Sequence, residues 1–209
     1  MNRRLPPFLG KKKICIICEG DEEYDYIGKL KSLNVWGGNY DIDPINAEGN
    51  GNIPARYQDK YQNGSYEMVL VFCDTDKKPY EQYEDIKRKI NEFHGTDNAA
   101  DYVVIFANPC TMQIILLHWD DVRLVSHKKN HNASTIEEVI GIKGYKAKKS
   151  QRKALCEMLN AENYGLMIER AIKLADDDTV LNSSNFTKLA EWFTQEDSCW
   201  IEEINEKLG

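Results

Sequence analysis

The chain has 209 residues, 42% of them apolar, and carries 27 Lys and Arg against 34 Asp and Glu, for a formal charge of −7 at pH 7. That size and apolar share fit one domain, or one domain with an appendage, around a real core. The acidic balance excludes attraction to nucleic acid by overall charge, so any such contact must use a local patch. No stretch approaches the roughly 20 apolar residues that span a bilayer. Met1 to Pro7 is not followed by an apolar segment of signal-peptide type, so the expectation is a soluble cytoplasmic protein without membrane contact.

After the basic lead Lys11-Lys12-Lys13, the run Ile14-Cys15-Ile16-Ile17-Cys18 predicts a first strand over 13–18, closed by Glu19-Gly20. Tyr26, Ile27, Leu30 and Leu33 share a helical stripe and predict a helix over 22–33, which Gly37-Gly38 breaks. Weak alternation over 41–47 predicts a second strand, and Pro44 suits an edge position. A loop at 48–52 and a short helix over 54–62 follow. Met68-Val69-Leu70-Val71-Phe72-Cys73 predicts a third strand over 67–73, ending in Asp74-Thr75-Asp76. A charged amphipathic helix over 79–92 places Tyr83, Ile86, Ile90 and Phe93 on one side. A fourth strand over 102–106 runs to Asn108-Pro109, and 112–119 reads as an apolar helix. From about Ser134 the pattern is helical only, with helices over 135–140, 151–160, 164–176, 186–194 and 198–208.

Strand and helix alternate through the first part. Its apolar runs are continuous, as in strands buried on both faces. This predicts an α/β fold, a mainly parallel sheet with right-handed crossovers flanked by helices, over 10–130. Residues 131–209 form a helical C-terminal region packed on it.

The chemistry-bearing residues sit at strand ends. In open α/β sheets ligands bind at the carboxyl ends of the strands, and three carboxylates delivered there repel unless a cation neutralises them. Oxygen-only ligands point to a hard ion, Mg²⁺ or Mn²⁺, held by Glu19, Asp74 and Asp76. The plainer reading of the aspartates is a solvated turn or a helix N-cap. Cys15-x-x-Cys18 has zinc-like spacing, but positions three apart on a strand face opposite sides, so buried free thiols are expected. His127-x-x-x-His131 has zinc-like spacing without acidic or Cys partners nearby.

Glu19-Gly20, a β-α unit and then Asp74-x-Asp76 resemble the TOPRIM fold shared by type IA and type II topoisomerases, bacterial primases and OLD-family nucleases. Glu19-Gly20-Asp21-Glu22-Glu23-Tyr24-Asp25-Tyr26 resembles the E-G-x-T-E-x-x-Y start of RloB-like proteins. Asp74-Thr75-Asp76 matches their D-x-D. Asn108-Pro109, continuing to Leu116-Leu117-His118, resembles their N-P segment that leads through Phe-Glu into L-L-L-H. The chain departs from that pattern in two places: Glu22 stands for the family Thr, and Met112-Gln113 for Phe-Glu. Gln113 supplies no charge and cannot act as a base. RloB-like proteins are encoded in restriction–modification or phage-defence loci, so the resemblance implies a nucleic-acid-directed defensive role, with partner proteins of such a locus. It implies Glu19 as metal ligand or general acid/base, and Glu23 and His118 as residues behind the metal ligands. His118 reads otherwise as a core histidine. Asn108 reads as a loop anchor or as a contact for phosphate or metal.

The segment 143–153 holds Lys143, Lys146, Lys148, Lys149, Arg152 and Lys153, with Tyr145 among them, the best phosphate-backbone patch in the chain. Its plainer reading is a solvated helix start. Lys77 follows Asp76 and can neutralise a phosphate there. The expectation is a Mg²⁺-dependent nuclease acting on DNA or RNA phosphodiesters. The alternative is a non-catalytic TOPRIM accessory module that binds nucleic acid or a partner protein, and a third reading is a nucleotide-transferring or nucleotide-hydrolysing enzyme.

Overall fold

The computed structural model describes residues 10–75, 80–126 and 129–209. Five strands form one sheet: β1 (Lys12–Cys18), β2 (Tyr40–Asn46), β3 (Met68–Asp74), β4 (Val104–Asn108) and β5 (Ser183–Ser184), in the spatial order β2-β1-β3-β4-β5. The first four run parallel. Ile14 lies opposite Ile42 on one side and Met68 on the other, and Asp74 lies opposite Ala107. Every residue of β3 and β4 is buried, as are Ile14 to Cys18 of β1. Strands covered on both faces must be apolar throughout, which is what their continuous β-branched runs supply. Pro44 sits on β2, the edge strand, where the missing N–H costs no ladder bond.

The helices α1 (Asp21–Ser32), α2 (Ile53–Gln62), α3 (Tyr80–His94) and α4 (Ala99–Val103) connect the parallel strands, and α5 (Met112–Leu116) follows β4. The expected helix over 112–119 is shorter because Leu117, His118 and Trp119 bond three residues back, tightening the chain into turns. The expected fourth strand begins later because 99–103 makes a helical turn first. Beyond it lie α6 (Ala133–Ile140), α7 (Lys149–Met158), α8 (Ala161–Ala171), α9 (Thr187–Thr194) and α10 (Cys199–Leu208). α8 starts earlier than its apolar spacing predicts, since the Asn160 side chain caps it by accepting from the Asn163 N–H at 2.9 Å. No helix among the described residues is long and apolar enough to cross a membrane.

The expectation of helices alone after Ser134 is corrected by β5, which pairs antiparallel with β4 through Ala107–Ser184 and Asn108–Ser183. The next residue extends the pairing with its side chain. Asn185 accepts from the Phe106 N–H at 2.8 Å and donates to the Val104 carbonyl at 3.0 Å. An amide thus occupies the open edge of β4, a row of backbone groups that otherwise invites another strand. Phe186 then packs against Tyr26 and Phe72, with ring centroids 5.7 and 5.3 Å away. Phe193 packs against Trp36 and Tyr40 at 5.3 and 5.4 Å. The apolar core is therefore one cluster that runs from Ile14 to Leu208.

Asn185→Ala strands two buried backbone groups at once. At about 1–3 kcal/mol for each group left unpaired, the expected loss is about 2–6 kcal/mol, read as a lower urea midpoint at unchanged slope.

Candidate functional site

The chain leaves β1 toward β2 on one side and later returns to β3 on the other, so the connectivity reverses between β1 and β3. Such a switch point opens a crevice at the carboxyl ends of the two strands. Glu19 directly follows β1, and Asp74 is the last residue of β3. The two are joined: the Asp74 N–H donates to Glu19 Oε2 at 2.9 Å. The Glu19 N–H in turn donates to the Phe72 carbonyl at 3.1 Å, so the sheet ladder itself fixes their register. Asp74 is buried, and its Oδ1 accepts from both the N–H and the hydroxyl of Thr111, at 2.7 and 2.8 Å. Asn50, with its amide nitrogen turned to Glu19, donates to both carboxylate oxygens at 2.9 and 2.7 Å.

Glu19 and Asp74 line an open cleft of about 470 Å³, which Asp21, Glu22, Glu23, Glu48 and Arg152 also line. Glu23 closes the turn into α1, accepting from the Gly20 N–H at 3.1 Å. Glu22 accepts from the Tyr145 hydroxyl at 2.6 Å. Burial, reinforced by the Glu22 charge, pushes the Tyr145 phenol up, so it stays a donor. Arg152 binds Asp25 at 2.7 Å, Asp21 at 2.8 Å and the Ala147 carbonyl at 2.6 Å, and so pins α7 to α1. Glu48 and Ala147 carry φ of +60° and +52°, and both line this cleft. Left-handed backbone at residues other than Gly and Asn is stored strain, and it gathers at binding sites.

The structure thus brings Glu19, Asp74 and Glu23 to one cleft. Asp76 and Lys77 lie outside the described residues, as does His127. Asn108 and His118 are placed elsewhere. Asn108 is buried at the end of β4 and donates to the Asp178 carbonyl at 2.7 Å. His118 lies in the core between the Tyr26 hydroxyl and the Asn163 amide oxygen, each at 2.9 Å. Burial, opposed by the Asn163 hydrogen bond and aided by the charge of Arg170, brings its pKa down to about 4. Of the basic segment, Lys143, Lys146, Lys148, Lys149 and Lys153 are exposed, whereas Arg152 is committed to its aspartates. Cys15, Cys18, Cys73 and Cys110 are buried thiols outside any disulfide, and burial holds Cys18 and Cys73 protonated beside the carboxylates.

Three residues of the site escaped sequence reading. Asn50 lies in a Gly-rich loop with no motif, Tyr145 sits inside the basic run, and Glu22 shows only as a departure from the resembled pattern. The polar side chain of Gln113 has a different use. It is fully buried, donates to the Val122 carbonyl at 3.0 Å and accepts from the Leu124 N–H at 3.0 Å. The amide supplies both the donor and the acceptor, whereas an ionised glutamate has no donor for the Val122 carbonyl.

The described donors, Glu19 and Asp74, are oxygen-only, and neutral thiols flank them, which suits a hard cation rather than a soft one. Among the described residues no group of three His, Cys, Asp or Glu side chains is placed to hold a metal ion. Compared with protein families, curated proteins and solved structures, the chain finds no match.

Two measurements follow from these contacts. Gln113→Glu sets a carboxylate against the Val122 carbonyl and costs about 3 kcal/mol by chemical denaturation. His118 is held neutral when folded, so its contribution is complete above its ordinary value of 6.5 and is lost as pH falls through about 4. The loss is on the order of 3 kcal/mol, and His118→Gln removes that share of the acid slope.

Proposed function

We propose that this protein is a Mg²⁺- or Mn²⁺-dependent nuclease of TOPRIM-like, RloB-like type, cleaving DNA or RNA phosphodiesters in a defence setting. The observation that carries the reading is the Glu19–Asp74 pair at the switch point of a parallel sheet, with the Glu19 carboxylate held on the Asp74 backbone N–H and the Asp74 carboxylate held by Thr111. Glu19 and Asp74 would hold the ion, with Asp76 of the same motif. When bound, the ion neutralises phosphate charge and lowers the pKa of water. Thr111 orients Asp74 toward that position. Asn50 and the Asp74 N–H orient Glu19, whose remaining role is to move a proton on the attacking or departing oxygen. The exposed lysines of 143–153 face a substrate backbone and offset the acidic surroundings.

A second reading is a TOPRIM accessory module without catalysis. It is favoured by Gln113, whose commitment to the backbone leaves the family glutamate unreplaced.

Asp74→Asn keeps the Thr111 contacts while removing the charge. With a labelled oligonucleotide and Mn²⁺, cleavage should fall about 10²–10⁴-fold in Asp74→Asn and in Glu19→Gln. Saturating Mn²⁺ should raise the melting temperature of the wild type and leave that of Asp74→Asn unmoved. An unchanged cleavage rate in Asp74→Asn sinks the nuclease reading. A metal-dependent melting shift without cleavage of any oligonucleotide selects the accessory module.

A further inference from the structure

We propose that a second cavity, sharing a wall with the acidic cleft, seats one unstacked nucleobase of the bound strand; this rests on the nuclease reading above. The cavity holds about 340 Å³, within the range of small-ligand sites, and its walls are chiefly apolar. Met112 comes from α5, Ala133 and Ile136 from α6, and Leu124 and Tyr145 from the connecting loops. Glu22 and Ala147 line this cavity and the acidic cleft alike, so the two lie side by side, as adjoining parts of one strand require.

The two halves want different chemistry. The cleft, with its carboxylates, takes the phosphate only through a cation. The neighbouring cavity is chiefly apolar, with Glu22, Asn132 and Lys146 among its described lining residues, and accepts a flat ring. Its rim is basic: Lys146 lines it, and exposed Lys143, Lys148 and Lys149 belong to the same segment. A ligand that carries an apolar ring, a phosphate at the shared wall and further negative charge along the rim is a nucleotide within a strand. Enzymes that act on a strand commonly take a base out of the stack and hold it between apolar side chains.

The rim is also preorganised. The Gln151 side chain accepts from the Lys146 and Lys148 N–H groups at 2.9 and 3.3 Å and donates to the Gly144 carbonyl at 3.1 Å. Gly144, at φ +55°, and Ala147 make the turns that lay this loop over the cavity. The loop is therefore built before a strand arrives, so little ordering entropy opposes binding.

The test compares fluorescein-labelled single-stranded hexamers that carry thymine, adenine or no base at all, by fluorescence anisotropy on the full chain. Calcium replaces magnesium, so that binding is read without cleavage. The wild type should bind the base-bearing hexamers about tenfold or more tightly than the base-free one. Ala133→Trp, which fills the cavity from a half-buried position at the start of α6, should erase that preference while keeping the affinity for the base-free hexamer. Equal affinity of the wild type for all three hexamers overturns the base pocket and leaves the nuclease reading standing. A preference that survives in a folded Ala133→Trp overturns it as well. Failure of the wild type to bind any hexamer overturns the nuclease reading together with the pocket.

Discussion

The constraint on which the rest of the structure depends is the two-sided burial of β1, β3 and β4. A strand covered on both faces has no place for a polar side chain along its length. Polar residues can appear only where such a strand leaves the sheet, and the parallel arrangement sends all the leaving ends to one edge. Glu19, Asp74 and Asn108 therefore share that edge without any attraction between them. What separates them is topology. The crevice opens between β1 and β3, so Glu19 and Asp74 meet in it, while Asn108 is turned to the antiparallel partner β5 and to the Asp178 carbonyl.

Bringing carboxylates together costs energy, and the surroundings show how it is offset. Each is tied to a donor: Asp74 to Thr111, Glu19 to the Asp74 N–H and Asn50, Glu23 to the Gly20 N–H, and Glu22 to Tyr145. Hydrogen bonds to the charged form stabilise it and fix its direction. Arg152 supplies a full counter-charge, but to Asp21 and Asp25 on the outer face of α1. Its guanidinium, though it lines the cleft, is committed to those two aspartates, so Glu19 and Asp74 rely on hydrogen-bond donors instead. A charged segment that reads as one patch is thus divided by the fold. Arg152 builds the site, and the lysines around it remain at the surface.

The C-terminal region does more than cover the sheet. Through Ser183, Ser184 and Asn185 it closes the edge of β4, and through Phe186 and Phe193 it enters the same core as β1 and α1. The geometry of the cleft consequently depends on residues more than a hundred positions away, among them Tyr145 and Arg152.

The sequence by itself determined the strands and helices whose signal is local. Continuous β-branched runs placed β1 and β3 within a residue or two, Pro44 marked β2 as an edge, and 3.6-residue stripes located α1, α3 and the later helices. It also placed Glu19 and Asp74 at strand ends, because an acidic residue directly after an apolar run can stand nowhere else in a parallel sheet. Tertiary structure alone decided everything that depends on a distant partner. Ser183–Ser184 has no strand propensity and is a strand only because β4 offers an open edge. Gln113 carries no local signal for its role, and its fit follows from Val122 and Leu124, which no spacing rule connects to it. His118 is a core residue because Tyr26 and Asn163 bracket its ring. In each case the residue type is compatible with several roles, and the choice among them is made by which hydrogen-bonding partners burial leaves within reach.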